Sequence, residues 1–173
     1  MITSPYNPQE NELLQFIMPY PFGYTMKLIH TNEVYMKLQY SFNEECKWIL
    51  MLQENQHMPN HIPLIRQYTF GIVDRELLLY QFIEKDPLGG SLLKGAGYPY
   101  IRLPVSAGEQ TNWEYHMFDN SVVSCSSQFM KSQVNDKTGD ILVITREVSQ
   151  DSKNINSIEY YLKGYGLFLV EQC

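Results

Sequence analysis

His57 and His61 stand at the i, i+4 spacing that lets two imidazoles share one helical face and grip a zinc ion. Such a grip needs an uninterrupted helix, yet Pro59 falls between the two histidines, Pro63 follows, and no Glu succeeds His57. Proline removes an amide donor and clashes with the preceding turn, so both histidines read as loop residues rather than ligands. His30 and His116 are single histidines beside predicted strand ends. The cluster Ser124-Cys125-Ser126-Ser127 offers nucleophiles but has no Gly-x-Ser-x-Gly elbow around it. Strand alternation puts Cys125 with Val123 and Phe129 on a core face, where a thiol packs and stays inert.

The remaining chemistry-bearing residues are scattered. Cys46, Cys125 and Cys173 are widely spaced and odd in number, with no CxxC, so reduced thiols are expected and neither a disulfide framework nor a zinc site. Cys46 lies beside Trp48 in an apolar run, and Cys173 is terminal. Glu44-Glu45 are adjacent carboxylates, whereas Asp74, Asp86, Asp119, Asp136 and Asp140 stand singly, most of them in predicted turns, where Asp caps local amides. The segment GGSLLKGAG at 89–97 has neither the spacing nor the strand-to-helix context of a phosphate-binding loop or a dinucleotide fingerprint. No catalytic residue, metal ligand or cofactor site is therefore assigned from the sequence.

The elements that would position any site are mostly strands. Apolar residues make up 44% of the 173-residue chain and charged residues 18%, so it should fold, and its length fits one domain spanning 1–173. Aromatics reach 13%, led by 13 Tyr, a composition suited to pleated half-buried surfaces. The net charge is −6 and no two basic residues are adjacent, which argues against a nucleic-acid or anionic-membrane partner. No apolar run reaches the ~20 residues of a membrane-spanning helix. MITSPYNPQENELL has neither a basic n-region nor an apolar h-region, so a cytoplasmic chain is expected, or an envelope one if a leader is trimmed.

Asn7-Pro8-Gln9-Glu10 reads as a helix start, with the helix over about 8–18 and Pro19 and Pro21 ending it. From Tyr24 the period becomes two. Strands are predicted at 24–30, 33–42, 64–73, 75–84, 111–118, 121–130, 140–148, 157–163 and 165–171. Thr31-Asn32 is a candidate hairpin turn, Cys46–Leu52 an apolar run of undecided type, and 53–63 a loop. Gly89, Gly90, Gly95 and Gly97 make 86–99 the predicted mobile loop. Tyr165–Val170, apolar on both faces, is expected mid-sheet, with Gly164 at a bend and Gly166 where a neighbouring side chain crosses. Short strands and tight turns predict a mainly β fold: an antiparallel meander rolled into a barrel or curved half-barrel, with one short N-terminal helix. Tyr20-Pro21-Phe22-Gly23 and Leu103-Pro104-Val105 form a weak internal echo of strand entries.

Tyr160-Tyr161-Leu162-Lys163-Gly164-Tyr165-Gly166-Leu167, with Glu171 closing the segment, resembles the YYxKGxGLxxxE ending of a broad group of uncharacterised bacterial envelope proteins and lipoproteins. Tyr20-Pro21-Phe22-Gly23 and the Leu103-Pro104-Val105, Gly108, Trp113 series fit the same resemblance. It implies an antiparallel β domain without transferable catalytic residues. The functional expectation is a non-enzymatic binding or interaction module, with an apolar ligand or protein partner on the concave sheet face and the Gly-rich loop. Two alternatives remain: a hydrolase assembled from distant residues, with His30, His116 and a turn Asp as first suspects, and a subunit that oligomerises through sheet edges.

Overall fold

Asn11 opens the first described element. Its side-chain Oδ1 accepts the Leu14 amide at 3.1 Å, and its carbonyl accepts the Gln15 amide at 3.2 Å, so Asn11 caps helix α1 (Glu12–Ile17). The predicted Asn7-Pro8 start lies outside the described residues. Six residues are too few for a helix to persist alone. Burial holds it: Leu13, Leu14, Phe16 and Ile17 are each at most 5% exposed. The computed structural model describes residues 11–17, 23–27, 34–42, 48–54, 64–86, 89–117, 120–134 and 137–172.

Most of the other described residues lie in antiparallel sheet. Strands β1 (Gly23–Lys27), β2 (Val34–Phe42), β3 (Trp48–Glu54), β4 (Leu64–Val73), β5 (Glu76–Asp86) and β6 (Gly89–Arg102) form one sheet in sequence order. Strands β7 (Thr111–His116), β8 (Val122–Val134), β9 (Lys137–Gln150), β10 (Lys153–Leu162) and β11 (Gly166–Gln172) form a second, also sequential. The fold is mainly β with one short helix, as its period-two patterning requires. Among the described residues neither sheet closes on itself: β1 and β6 end one, β11 and β7 the other. The expected meander is therefore present as two open sheets rather than a closed barrel.

Three elements differ from expectation. Residues 89–99 are strand, the first part of β6, and not a loop. Glycine loosens a backbone but does not forbid a strand, and a ladder partner in β5 settles the conformation here. The closing strand β11 is a sheet edge, not a centre. Its apolar run has another cause, since α1 lies against β11 and β10 and covers the start of the strand around Leu167. The strand covered on both faces is β9, mid-sheet, where Ile141, Leu142 and Ile144 are 0% and Val143 7% exposed. Finally, residues 153–156 belong to β10, because the β9–β10 hairpin turns on Asp151 and Ser152 alone, both with positive φ (46° and 66°). That is the primed two-residue turn whose twist matches its strands.

Other turns follow the sequence more closely. Asp74, at φ 53°, begins the β4–β5 turn, and Gly164, at φ 78°, sits in the β10–β11 bend. Gly166 has φ 95°, a left-handed backbone that itself calls for glycine. The Thr31-Asn32 turn and residues 55–63 lie outside the described residues.

Contacts divide the chain into two compact units, one built on Tyr20–Gly71 and Leu79–Gly97, the other on Tyr6–Pro19, Ile72–Leu78 and Tyr98–Cys173. In the first, the Tyr68 ring stacks 5.8 Å from Phe70 and 4.9 Å from Phe82, and Gly71 leaves room for the Tyr80 ring. The second holds α1 and the β7–β11 sheet.

Candidate functional site

The register of the β7–β11 sheet places Trp113, Cys125 and Arg146 side by side across β7, β8 and β9. This is the buried face, and Arg146 is a cation within it, 6% exposed. Its Nε lies 3.2 Å from both carboxylate oxygens of Glu159 on β10, and Nη1 donates to Cys125 Sγ at 3.5 Å. Tyr161 donates its hydroxyl to Glu159 Oε2 at 3.1 Å, and the Tyr100 ring lies 3.9 Å from the guanidinium carbon. The other guanidinium nitrogen, Nη2, is buried and has no hydrogen-bond partner among the described residues. Trp113 completes this face by donating from Nε1 to the Pro99 carbonyl at 2.6 Å.

Electrostatics in this cluster are set by burial and one ion pair. Burial works to lower the pKa of Arg146, but Glu159 and the neighbouring Tyr100, Tyr115 and Cys125 outweigh it and hold the guanidinium charged well above its ordinary range. Burial pushes the Tyr115 phenol up to about 12 against the opposing pull of Arg146. It pushes the Cys125 thiol up in the same way. A neutral, buried thiol is a poor nucleophile, so Cys125 packs as its strand parity predicts. The cluster's chemistry is that of a core ion pair with one guanidinium nitrogen left over.

The opposite face of the same strands is polar. Glu114 on β7 accepts from Ser124 Oγ at 3.4 Å through Oε2 and lies 3.3 Å from His116 Nε2 through Oε1. The carboxylate thus stands between hydroxyl and imidazole. A hydrolytic triad needs the imidazole in the middle, touching the nucleophile, and His116 with its side chain 69% exposed has no such contact among the described residues. Asp74 lies in the exposed β4–β5 turn, and Asp140, near the start of β9, is remote in register from this trio. His30, His57, His61, Cys46, Cys173, Glu44, Glu45, Asp119 and Asp136 lie outside the described residues. The described residues contain no group of three or more His, Cys, Asp or Glu side chains arranged to hold a metal ion. No helix of the described chain is long and apolar enough to cross a membrane.

A cleft of ≈470 Å³ opens beside α1, within the second unit. Phe16 from α1 and Phe129 from β8 stack in its wall, ring centroids 5.5 Å apart. Ala107 and Val105 extend this apolar surface, and Val105 is 79% exposed. Around the rim stand Glu12, Arg75, Lys131, Asp140 and Lys163. Arg75 ties the rim together, donating from Nη1 to Glu12 Oε2 at 2.7 Å and from Nη2 to the Pro104 carbonyl at 2.8 Å. Backbone bonds fix the far side: Lys163 N donates to Asp140 O at 3.0 Å and Gly164 N to Gln15 O at 2.6 Å. The cleft is thus held by α1, the β4–β5 turn, the 103–108 segment, and the ends of β8, β9 and β10.

Neither the cleft nor the Arg146 pair was marked in the sequence. The pair did leave a signal: Arg146 shares strand parity with Leu142 and Ile144, and Glu159 with Tyr161, so two charges occupy an apolar face. The cleft left none, because its walls come from segments scattered over the chain. Comparisons with protein-family models, with curated proteins and with solved structures found no match.

Proposed function

We propose that the cleft beside α1 binds a small amphipathic molecule and that the protein is a non-enzymatic binding module. One observation carries this reading: an apolar wall built on the Phe16–Phe129 stack, at ≈470 Å³ within the ordinary size of ligand pockets, meets a charged rim. Part-exposed Phe129, with the projecting Val105, leaves apolar surface in contact with water. Covering that surface would supply the driving force for association. This moves the expected ligand from the concave sheet face and the Gly-rich segment, now strand β6, to the helix-flanked end of β8 and β9. The hydrolase alternative has less support, since His116 meets a carboxylate without meeting a nucleophile. The 160–171 ending supports kinship with the bacterial envelope domains it resembles.

The uncharged dye Nile red tests the site. One-to-one, saturable fluorescence enhancement is expected, and Val105→Glu should weaken it several-fold by putting a carboxylate in place of projecting apolar surface at the cleft. Absence of saturable binding by the parent protein overturns the proposal, as does undiminished binding by a folded Val105→Glu variant.

A further inference from the structure

Granted that this cleft binds an amphipathic molecule, we infer that the molecule is a single-chain carboxylate, its anionic head held by Lys163 and Lys131 and its tail against Phe129 and Val105. The rim carries three cations, Arg75, Lys131 and Lys163, against two carboxylates, Glu12 and Asp140. Those charges are not equally committed. Arg75 is taken up by Glu12 at 2.7 Å and by the Pro104 carbonyl at 2.8 Å, which leaves neither partner for a ligand. Lys131 reaches Asp140 only at 3.9 Å, with its side chain 89% exposed, so that pair is loose and swings at little cost. Lys163 has no ion-pair partner among the described residues, although its backbone is anchored through its own amide to Asp140.

The rim is therefore cationic by one charge on a chain whose net charge is −6. The spare cation sits on a turn whose position is fixed on both sides, by Lys163 N to Asp140 O and by Gly164 N to Gln15 O. A carboxylate there gains a hydrogen-bonded ammonium without displacing a buried pair. A cationic head would instead face Lys131 and Lys163 directly, an arrangement disfavoured by like-charge repulsion.

Displacement of Nile red by octanoate and by octan-1-ol, molecules with the same tail length and different heads, tests the inference. Octanoate is expected to bind more tightly than the alcohol, with a preference that shrinks as salt rises, because exposed charges are screened. Lys163→Gln should cost octanoate roughly two- to five-fold, the range of one exposed ion pair, and leave the alcohol unchanged. Lys131→Gln/Lys163→Gln should abolish the preference. Both lysines are exposed surface side chains, so these variants should retain the parent's circular dichroism. Equal binding of the two molecules by the parent, or a preference that survives the double variant, overturns the carboxylate assignment and leaves the cleft as a neutral-amphiphile site. Nile red binding that neither molecule displaces overturns it as well, whereas failure of Nile red itself to bind defeats the underlying reading of the cleft.

Discussion

Arg146→Met separates a structural ion pair from an incidental one. The substitution keeps length and apolar volume but removes the cation that faces Glu159 at 3.2 Å, while the Tyr161 hydroxyl still donates to that carboxylate. The Glu159 side chain is only 14% exposed, so water cannot replace the guanidinium. Removing one partner of a buried pair costs roughly 3–5 kcal/mol, in which loss of the Tyr100 stacking contact is included. In a chain of this size that is a fall in Tm of roughly 6–20 °C. Arg146→Met/Glu159→Leu removes both charges and should return to within about 1 kcal/mol of the parent, because apolar packing replaces a buried pair at little loss. Urea denaturation followed by tryptophan fluorescence and circular dichroism gives all three values. A single variant within about 1 kcal/mol of the parent at pH 7, or a double variant no more stable than the single, would refute the account.

Other consequences are open to the same measurements. Tyr115, held at about 12 by burial against an unfolded value near 10, contributes stability that is complete below pH 10 and lost as pH rises through 12. That rise corresponds to ~3 kcal/mol at most, and Tyr115→Phe should flatten the alkaline decline by that order; an unchanged pH profile would count against the burial argument. Asn11→Ala removes the cap bond to Leu14 and should cost about 1 kcal/mol, seen as weaker Nile red binding as α1 frays, while Asn11→Ser should behave like the parent. Gly164→Ala meets no atom within 4 Å, so only its φ of 78° is at stake; a loss of about 1–2 kcal/mol is expected, with Gly164→Asn recovering part of it. A Gly164→Ala variant as stable as the parent would show that the bend relaxes.

Much of the fold is written in local pattern, and the errors share one cause. The alternation from Val34 to Phe42 is strand β2 with the boundaries its pattern implies, and Leu64–Val73 is strand β4, because a side-chain period of two is a property of the backbone itself. Apolar content along a strand is different: it reports how much cover the strand receives, not who supplies it. Tyr165–Val170 and Ile141–Ile144 are both continuous apolar runs, yet β11 takes part of its cover from α1 at an edge, while β9 takes its cover as the middle strand. Only knowledge of the neighbours distinguishes the two. Gly89–Gly97 shows the converse, since glycine content reports intrinsic freedom and ladder bonding in β6 overrides it.

The candidate site was hidden for the same reason. Phe16, Arg75, Val105, Phe129, Asp140 and Lys163 belong to separate elements, each with a sufficient local explanation as a core residue, a turn residue or a solvated charge. What makes them a set is the meeting of the β4–β5 turn, the 103–108 segment and the β10–β11 bend around α1, fixed by Arg75 to Glu12 and Gly164 to Gln15. The closing segment therefore acts through its turn rather than as a central strand: Gly164 lets the chain bend, its amide anchors α1, and the bend holds Lys163 at the cleft. A sequence motif that reads as architecture thus also sets the polarity of the cleft it borders. Replacing Lys163 should alter binding with the fold intact, whereas replacing Gly164 should weaken the fold first, and that order of effects separates the motif's two parts.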